Sequence, residues 1–276
     1  MFLKWFLKKL LGFINLKKNK MKAVILAGGL GTRLIEKTDI KPKPMVEVGG
    51  MPILFHIMKI YSYYGFNDFV ICLGYKGNII VDYFTSFFSK NNDMKVIQNN
   101  DSTEIITNGP ENWNIHLVET GEKTMTGGRI EKVKNHLDNN RFFLTYGDGV
   151  SNLNIKSLLD FHISNKTLCT LTAVKPEPRF GALDIEEDLV INFREKDLMD
   201  VDWINGGYFV CEPSVFDYIK NGENEIWEQK PLQGLSNSKN LAAFKHTGFW
   251  KPMDTLKDSI ELNKMWNNNN AKWKIW

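Results

Sequence analysis

The chain has 276 residues, with 35 basic and 32 acidic side chains and a formal net charge of +3, a length that suits one large domain or a domain with a small appendage. The excess charge comes entirely from residues 1–20, which hold six lysines and no acid; the rest carries 29 basic against 32 acidic residues, a net of −3. That balance argues against a nucleic-acid-binding surface on the body of the protein, and no run of 18 apolar residues argues for a membrane span.

Residues 1–20 stand apart. Phe2, Leu3, Trp5, Phe6, Leu7, Leu10, Leu11, Phe13 and Ile14 cover a broad helical face that lysines interrupt. The long apolar stretch and small-residue cleavage site of a secretory signal are not visible. Three readings stay open: a basic amphipathic helix on an anionic membrane surface, a helix docked on a partner subunit, or an extension upstream of a start at Met21. The expected organisation is therefore an N-terminal extension, 1–20, followed by a single domain over 21–276.

The apolar run 23–27 predicts a buried parallel strand. It opens onto Gly28-Gly29-Leu30-Gly31-Thr32-Arg33, where glycines permit positive φ and close approach of an anion to backbone N–H groups. Arg33 adds a planar fork of donors suited to phosphate oxygens. Leu34 stands where a Rossmann fingerprint needs its third glycine, and Thr32-Arg33 stands where a Walker loop ends in Gly-Lys. A plain glycine turn between strand and helix is the alternative.

Downstream, strand-like and helix-like segments alternate, as expected of an α/β domain with a mostly parallel sheet. Helices are predicted over 52–64, ended by Gly65, and over 78–89 with Ile80, Phe84 and Phe87 on one face; a strand lies between them at 68–73. Short alternating stretches at 95–98, 104–107 and 115–118 predict a small β-rich excursion. Further strands are expected at 141–146, 169–174 and 207–211, a helix at 155–164, and an antiparallel pair at 184–185 and 189–193. Cys72, Cys169 and Cys211 each sit in an apolar strand and read as buried thiols of a reducing compartment.

Asp148 follows the strand at 141–146 between two glycines, placed to hold a divalent cation or to make an ordinary Asp-Gly turn. Asp254 precedes a helix starting at Leu256, and fits either a second metal carboxylate or a helix N-cap. Lys43 lies in Lys41-Pro42-Lys43-Pro44, where prolines stiffen an extended segment and aim the lysine at low entropic cost. Glu195 and Lys196 suit sugar hydroxyls and a phosphate, or an exposed ion pair. Asn205-Gly206-Gly207 permits a ligand to approach the backbone, or is only a turn. The five histidines share no spacing, and His56 and His162 fall inside helices as packing or surface residues. With no nucleophile elbow and no zinc motif, the residues point to phosphoryl-type transfer, which asks for positioning and charge neutralisation. An acceptor that is itself a phosphate needs no general base.

The chain from Met21 onward resembles the sugar-nucleotide pyrophosphorylases, a nucleotidyltransferase family. The resemblance rests on 21–34 (MKAVILAGGLGTRL), 41–50 (KPKPMVEVGG), 145–150 (TYGDGV), 179–185 (RFGALDI), 204–210 (INGGYFV) and 249–256 (FWKPMDTL). Residues 125–129 (MTGGR) are similar to the base-binding segment of the members that transfer cytidylyl groups.

The resemblance implies a Rossmann-like, mostly parallel sheet flanked by helices, and a reaction between CTP and glucose 1-phosphate giving CDP-glucose. It implies that Leu26, Ala27, Gly28, Gly29, Leu30, Gly31, Thr32 and Arg33 wrap the nucleotide, with Lys43 on the phosphates and Thr124, Arg129 and Gly147 also against it. Asp148 and Asp254 would hold Mg2+, Lys196 the sugar phosphate, and Gly181, Glu195 and Asn205 the glucose. A homo-oligomer, a hexamer in this family, and a cytoplasmic location are further implications. Another nucleotide (UTP or dTTP), another sugar phosphate, and a non-catalytic sensor on the same fold remain alternatives. Asp197 stands where the family usually places proline after Lys196.

Overall fold

The computed structural model describes residues 21–31, 40–89, 94–99, 101–107, 110–177, 182–194 and 202–276. The predicted helix within 1–20 lies outside them. Nine strands make the central sheet. In chain order they are β1 (Lys22–Leu26), β4 (Asp68–Leu73), β5 (Met94–Gln98), β6 (Ser102–Thr107), β7 (Asn114–Glu119), β8 (Phe142–Tyr146), β10 (Cys169–Val174), β13 (Ile204–Cys211) and β14 (Leu241–His246). Two-stranded pairs are β2 (Glu47–Val48) with β3 (Met51–Pro52), β9 (Gly149–Ser151) with β15 (Trp250–Pro252), and β11 (Ala182–Glu186) with β12 (Leu189–Arg194). The helices are α1 (Ile53–Tyr63), α2 (Gly77–Ser89), α3 (Thr126–Lys132), α4 (Ile155–Asn165), α5 (Lys230–Asn237) and α6 (Leu256–Asn267).

The sheet order is β14-β10-β13-β8-β1-β4-β7-β6-β5. Parallel pairing joins β8, β1, β4 and β7 and, separately, β10 with β14; β13 and β6 run against their neighbours. The β-rich stretch of the sequence is thus the edge of the main sheet, with β7 parallel to β4 and the β5–β6 hairpin added outside it.

Both faces of the sheet are covered, which is why the central strands read as continuous apolar runs. Alternation still sorts their side chains. Ala23 and Ile25 of β1, with Phe69 and Ile71 of β4, join one core with α1, α2 and α4. Val24, Val70 and Cys72 enter a second core with Ile130 of α3, Leu235 of α5 and Trp227, which precedes α5. On α2, the buried residues are Gly77, Ile80, Phe84 and Phe88, at i, i+3 and then i, i+4 spacing. Phe88 takes the place expected for Phe87, which packs edge-on against Phe55 at 5.4 Å at the margin of the core. Gly77 lets the helix close on Leu73, whose Cβ lies 2.9 Å from where a side chain would begin.

The three cysteines are buried free thiols, and burial pushes Cys72 up to about 12. His162 is buried against Thr170, with Nδ1 2.8 Å from its hydroxyl. His56 is also buried, and two contacts fix its neutral tautomer. Its Nε2–H donates to the Val48 carbonyl at 2.8 Å, and its Nδ1 accepts from the Trp273 indole at 3.3 Å. Trp266 and Trp276 also ring the imidazole, with centroids 4.9 and 5.9 Å away. This cluster anchors the segment that follows α6 to α1.

Burial lowers the His56 pKa from 6.5 to about 4. Between those values the unfolded chain binds the proton and the folded one does not, so stability rises with pH there. The contribution, about 3 kcal/mol, is fully present above pH 6.5 and lost as pH falls through about 4. Thermal melting across that window is expected to show a steeper acid loss of Tm for the wild type than for His56→Gln. Parallel curves would remove His56 as the cause.

Candidate active site

The carboxyl ends of β1, β4, β7 and β8 lie at one edge of the sheet, where open α/β sheets bind ligands. The glycine loop leaves β1 there, and its glycines do different work. A Cβ on Gly28 would lie 2.1 Å from the Arg129 guanidinium, whereas one on Gly29 would meet nothing within 4 Å. Gly28 is therefore small for internal packing, and Gly29 leaves open space over the backbone. Gly31 takes φ +64°, the left-handed conformation that favours glycine.

Beside it, β8 ends at Tyr146, and Gly147 N–H donates to the Leu26 carbonyl at 3.0 Å. A side chain on Gly147 would press against that carbonyl and against Pro44. This squeeze between two strand ends brings the next residue, Asp148, to the mouth of the loop. The antiparallel pair β9–β15 does the rest: Pro252 lies opposite Gly149, and Met253 N–H donates to the Asp148 carbonyl at 2.8 Å. Asp254 is thus delivered next to Asp148. Helix α6 is capped by Thr255, which makes a reciprocal capping box with Asp258. Asp254 is consequently not the N-cap, and its carboxylate faces the site.

Between the carboxylates stands Lys43. Its Nζ lies 2.6 Å from Asp148 Oδ2 and 2.6 Å from Asp254 Oδ1. Pro42 is extended, as the sequence suggests, but Lys43–Met45 close into a 3-10 turn because Pro44 fits the first positions of a helical turn. Burial works against the lysine's charge; Asp148 and then Asp254 more than offset it and raise the ammonium's pKa above its usual 10.5.

Arg129, from α3, is 3 % exposed. Its guanidinium donates to the carbonyls of Leu73 at 2.9 Å and Gly28 at 2.8 Å and to the Thr120 hydroxyl at 2.7 Å. Burial lowers its pKa, yet a guanidinium stays charged at any physiological pH. Arg129 therefore ties the glycine loop to the ends of β4 and β7. Gly127 and Gly128 allow α3 to approach, since side chains there would strike the backbone at Glu225 and Gly222.

A cavity of 490 Å3 collects Leu26, Ala27, Gly28, Gly29, Leu30, Gly31, Lys43, Thr124, Arg129, Gly147, Asp148 and Asp254. A second cavity, of 260 Å3, contains Asn205 with Gly206 and Gly207, and shares Tyr146, Asp148 and Asp254 with the first. Thr32, Arg33, Gly181, Glu195 and Lys196 lie outside the described residues. Sequence reasoning missed Tyr146, which lines both cavities, and Glu228, which lines the first. Tyr146 sits in a quoted motif but reads there as the last residue of a core strand; Glu228 carries no local signal. Among the described residues no three His, Cys, Asp or Glu side chains converge on a metal position. Two hard carboxylate donors at a phosphate-sized cavity nevertheless suit Mg2+, which commonly takes one or two carboxylates and completes its shell with phosphate oxygens and water.

The model of the nucleotidyl transferase family matches residues 22–269. The chain belongs to that family. Among nucleotidyl transferases it is 51% identical over 257 residues to the glucose-1-phosphate cytidylyltransferase of Salmonella typhi, covering 93% of this chain and 100% of the relative. It is 43% identical over 256 residues to a probable glucose-1-phosphate cytidylyltransferase of Bacillus subtilis, with 93% and 100% covered. The fold matches HddC of Yersinia pseudotuberculosis with a TM-score of 0.65 at 23% identity, over 89% of this chain and 99% of that one. An apo UDP-glucose pyrophosphorylase matches with a TM-score of 0.64 at 16% identity, over 90% and 98%.

Arg129→Lys keeps the charge and loses the fork that reaches Gly28 and Leu73 together. Each carbonyl keeps a backbone donor, Tyr75 N–H on Gly28 and Thr120 N–H on Leu73. The loss is therefore one hydrogen bond from a charged group, roughly 1.5–3 kcal/mol, and Tm is expected to fall by about 2–8 °C. Scanning calorimetry of the variant checks this, and an unchanged Tm would show that the tether contributes nothing to stability.

Proposed function

We propose that this nucleotidyl transferase moves a cytidylyl group from CTP to α-D-glucose 1-phosphate, giving CDP-glucose and pyrophosphate. The observation that carries the reading is the end-to-end match to glucose-1-phosphate cytidylyltransferases at 51% identity. The cavity pair agrees with it, because two substrates that react at a phosphate need adjoining pockets with charge at the seam, where Asp148 and Asp254 stand.

In this reading the first cavity takes the nucleotide and the second the sugar. Leu26 through Gly31 wrap the base and triphosphate, together with Thr32 and Arg33, while Thr124, Arg129 and Gly147 complete the nucleotide wall. Arg129 acts there chiefly by holding the loop. Asn205, with Gly181 and Glu195, faces glucose, and Lys196 grips its phosphate. A phosphate oxygen of glucose 1-phosphate forms the new bond to the α-phosphorus of CTP. The bond to the β-phosphate oxygen breaks, and its electron pair leaves with pyrophosphate. The attacking oxygen is already anionic, so no side chain has to remove a proton from it. Asp148 and Asp254 would hold Mg2+, which supplies charge neutralisation at the phosphates when bound. Lys43 keeps the two carboxylates together and adds positive charge at the seam.

The proposed setting is a cytoplasmic homo-oligomer whose product feeds deoxyhexose synthesis for surface polysaccharides. Among the described residues no helix is long and apolar enough to cross a membrane.

Incubation with glucose 1-phosphate, Mg2+ and each nucleoside triphosphate in turn is expected to release pyrophosphate fastest with CTP. Release with UTP and none with CTP would overturn the cytidylyl assignment. Asp148→Asn preserves shape and removes one charge; kcat is expected to fall by roughly a hundredfold or more, with Tm close to wild type. Near-normal turnover would take Asp148 out of the metal site.

A further inference from the structure

The partition between the two cavities is made by a short polar chain with a fixed direction. Tyr146 lines both cavities, and its hydroxyl donates to Glu228 Oε1 at 2.5 Å. The same hydroxyl accepts from Asn205 Nδ2 at 3.0 Å, and Asn205 Oδ1 in turn accepts from Gly207 N–H at 2.9 Å. Glu228 is itself held by the Thr126 hydroxyl, which donates to Oε2 at 2.7 Å and accepts from Trp227 N–H at 2.9 Å.

An ionised carboxylate can only accept. The Tyr146 proton must therefore point to Glu228, which leaves the phenol oxygen as the acceptor that faces Asn205. The asparagine amide is then fixed with nitrogen toward Tyr146 and oxygen toward Gly207. Burial, reinforced by Glu228, pushes the Tyr146 phenol far above the usual tyrosine range, so it remains a donor at every working pH. Gly207, at φ +78°, makes room for the ring in this position, since a side chain there would lie 2.5 Å from Tyr146 Cδ2.

We propose that Glu228 is a positioning residue for the sugar phosphate: from the nucleotide side of the wall it sets, through Tyr146, the orientation of Asn205 in the sugar cavity. Glu228 touches neither substrate in this role. The inference rests on the assignment of the second cavity to the sugar, and it adds to that assignment the residue that fixes the pocket's polarity.

Steady-state kinetics of Glu228→Ala, Glu228→Gln, Tyr146→Phe and the Glu228→Ala/Tyr146→Phe double variant test it. They use whichever triphosphate and sugar phosphate the wild type turns over, so a wrong substrate assignment shows in the wild type and a wrong relay only in the variants. A lost charge-assisted hydrogen bond corresponds to about tenfold in an equilibrium constant. Glu228→Ala and Tyr146→Phe are each expected to raise KM for the sugar phosphate by about that factor while leaving KM for the triphosphate within about twofold. The double variant should be no worse than the worse single one, because both changes cut the same chain. Glu228→Gln, whose amide oxygen still accepts from Tyr146, should recover most of the loss. An equal rise in both KM values, multiplication of the two effects in the double variant, or an unchanged sugar-phosphate KM in Glu228→Ala would overturn the proposal.

Discussion

Lys43 between Asp148 and Asp254 is the contact on which the site depends. Two carboxylates brought to one point repel each other, and removing them from water without a cation is costly. The ammonium answers both problems at once, and the two carboxylates in turn raise its pKa against the effect of burial. Each partner reaches the point by a different device: a proline-shaped 3-10 turn for Lys43, a glycine pressed against β1 for Asp148, and the β9–β15 pair with its capped helix for Asp254. The three charged partners themselves come from three distant parts of the chain. The ion triad is where the packing of the whole sheet is converted into chemistry.

Arg129 plays the matching part under the glycine loop. A backbone rich in glycine is entropically expensive to hold in one shape. The buried guanidinium offsets that cost with donors to three segments at once. The loop stays open above, at Gly29, and is fixed below, at Gly28. A planar, permanently charged side chain suits this use, since its five donors lie in a rigid fork.

Much of this was legible in the chain. The strand before the glycine loop, the strand before Asp148 and the motif order all follow from residue type and spacing, and ten of the fifteen strands among the described residues coincide with apolar or alternating runs. What the sequence does not carry is lateral order. Nothing in the run at Ile204–Cys211 says that it inserts antiparallel between β8 and β10. Helix α3 was hidden because Gly127 and Gly128 lower helix propensity, and their purpose, close approach to Gly222 and Glu225, exists only in three dimensions. Arg129 reads from its motif as a nucleotide contact; that it also donates to two carbonyls and a hydroxyl from remote segments is visible only in three dimensions. Asp254 reads equally as a cap or a ligand until the capping box of Thr255 and Asp258 settles which residue caps the helix.

The way the site draws on distant parts of the chain also decides which partial assemblies of the sheet would hold a complete site. Strands β1, β4, β7 and β8 could pair with one another and would already display the glycine loop beside Asp148. Without β15 to pair with β9, that assembly has no Asp254 and no complete triad. The Lys43–Asp254 contact spans 211 residues, against 105 for Lys43–Asp148, so it carries the larger loop-closure entropy of the two. A sheet assembled without β15 would therefore hold the glycine loop and Asp148 but not the paired carboxylates, which only the complete fold brings together.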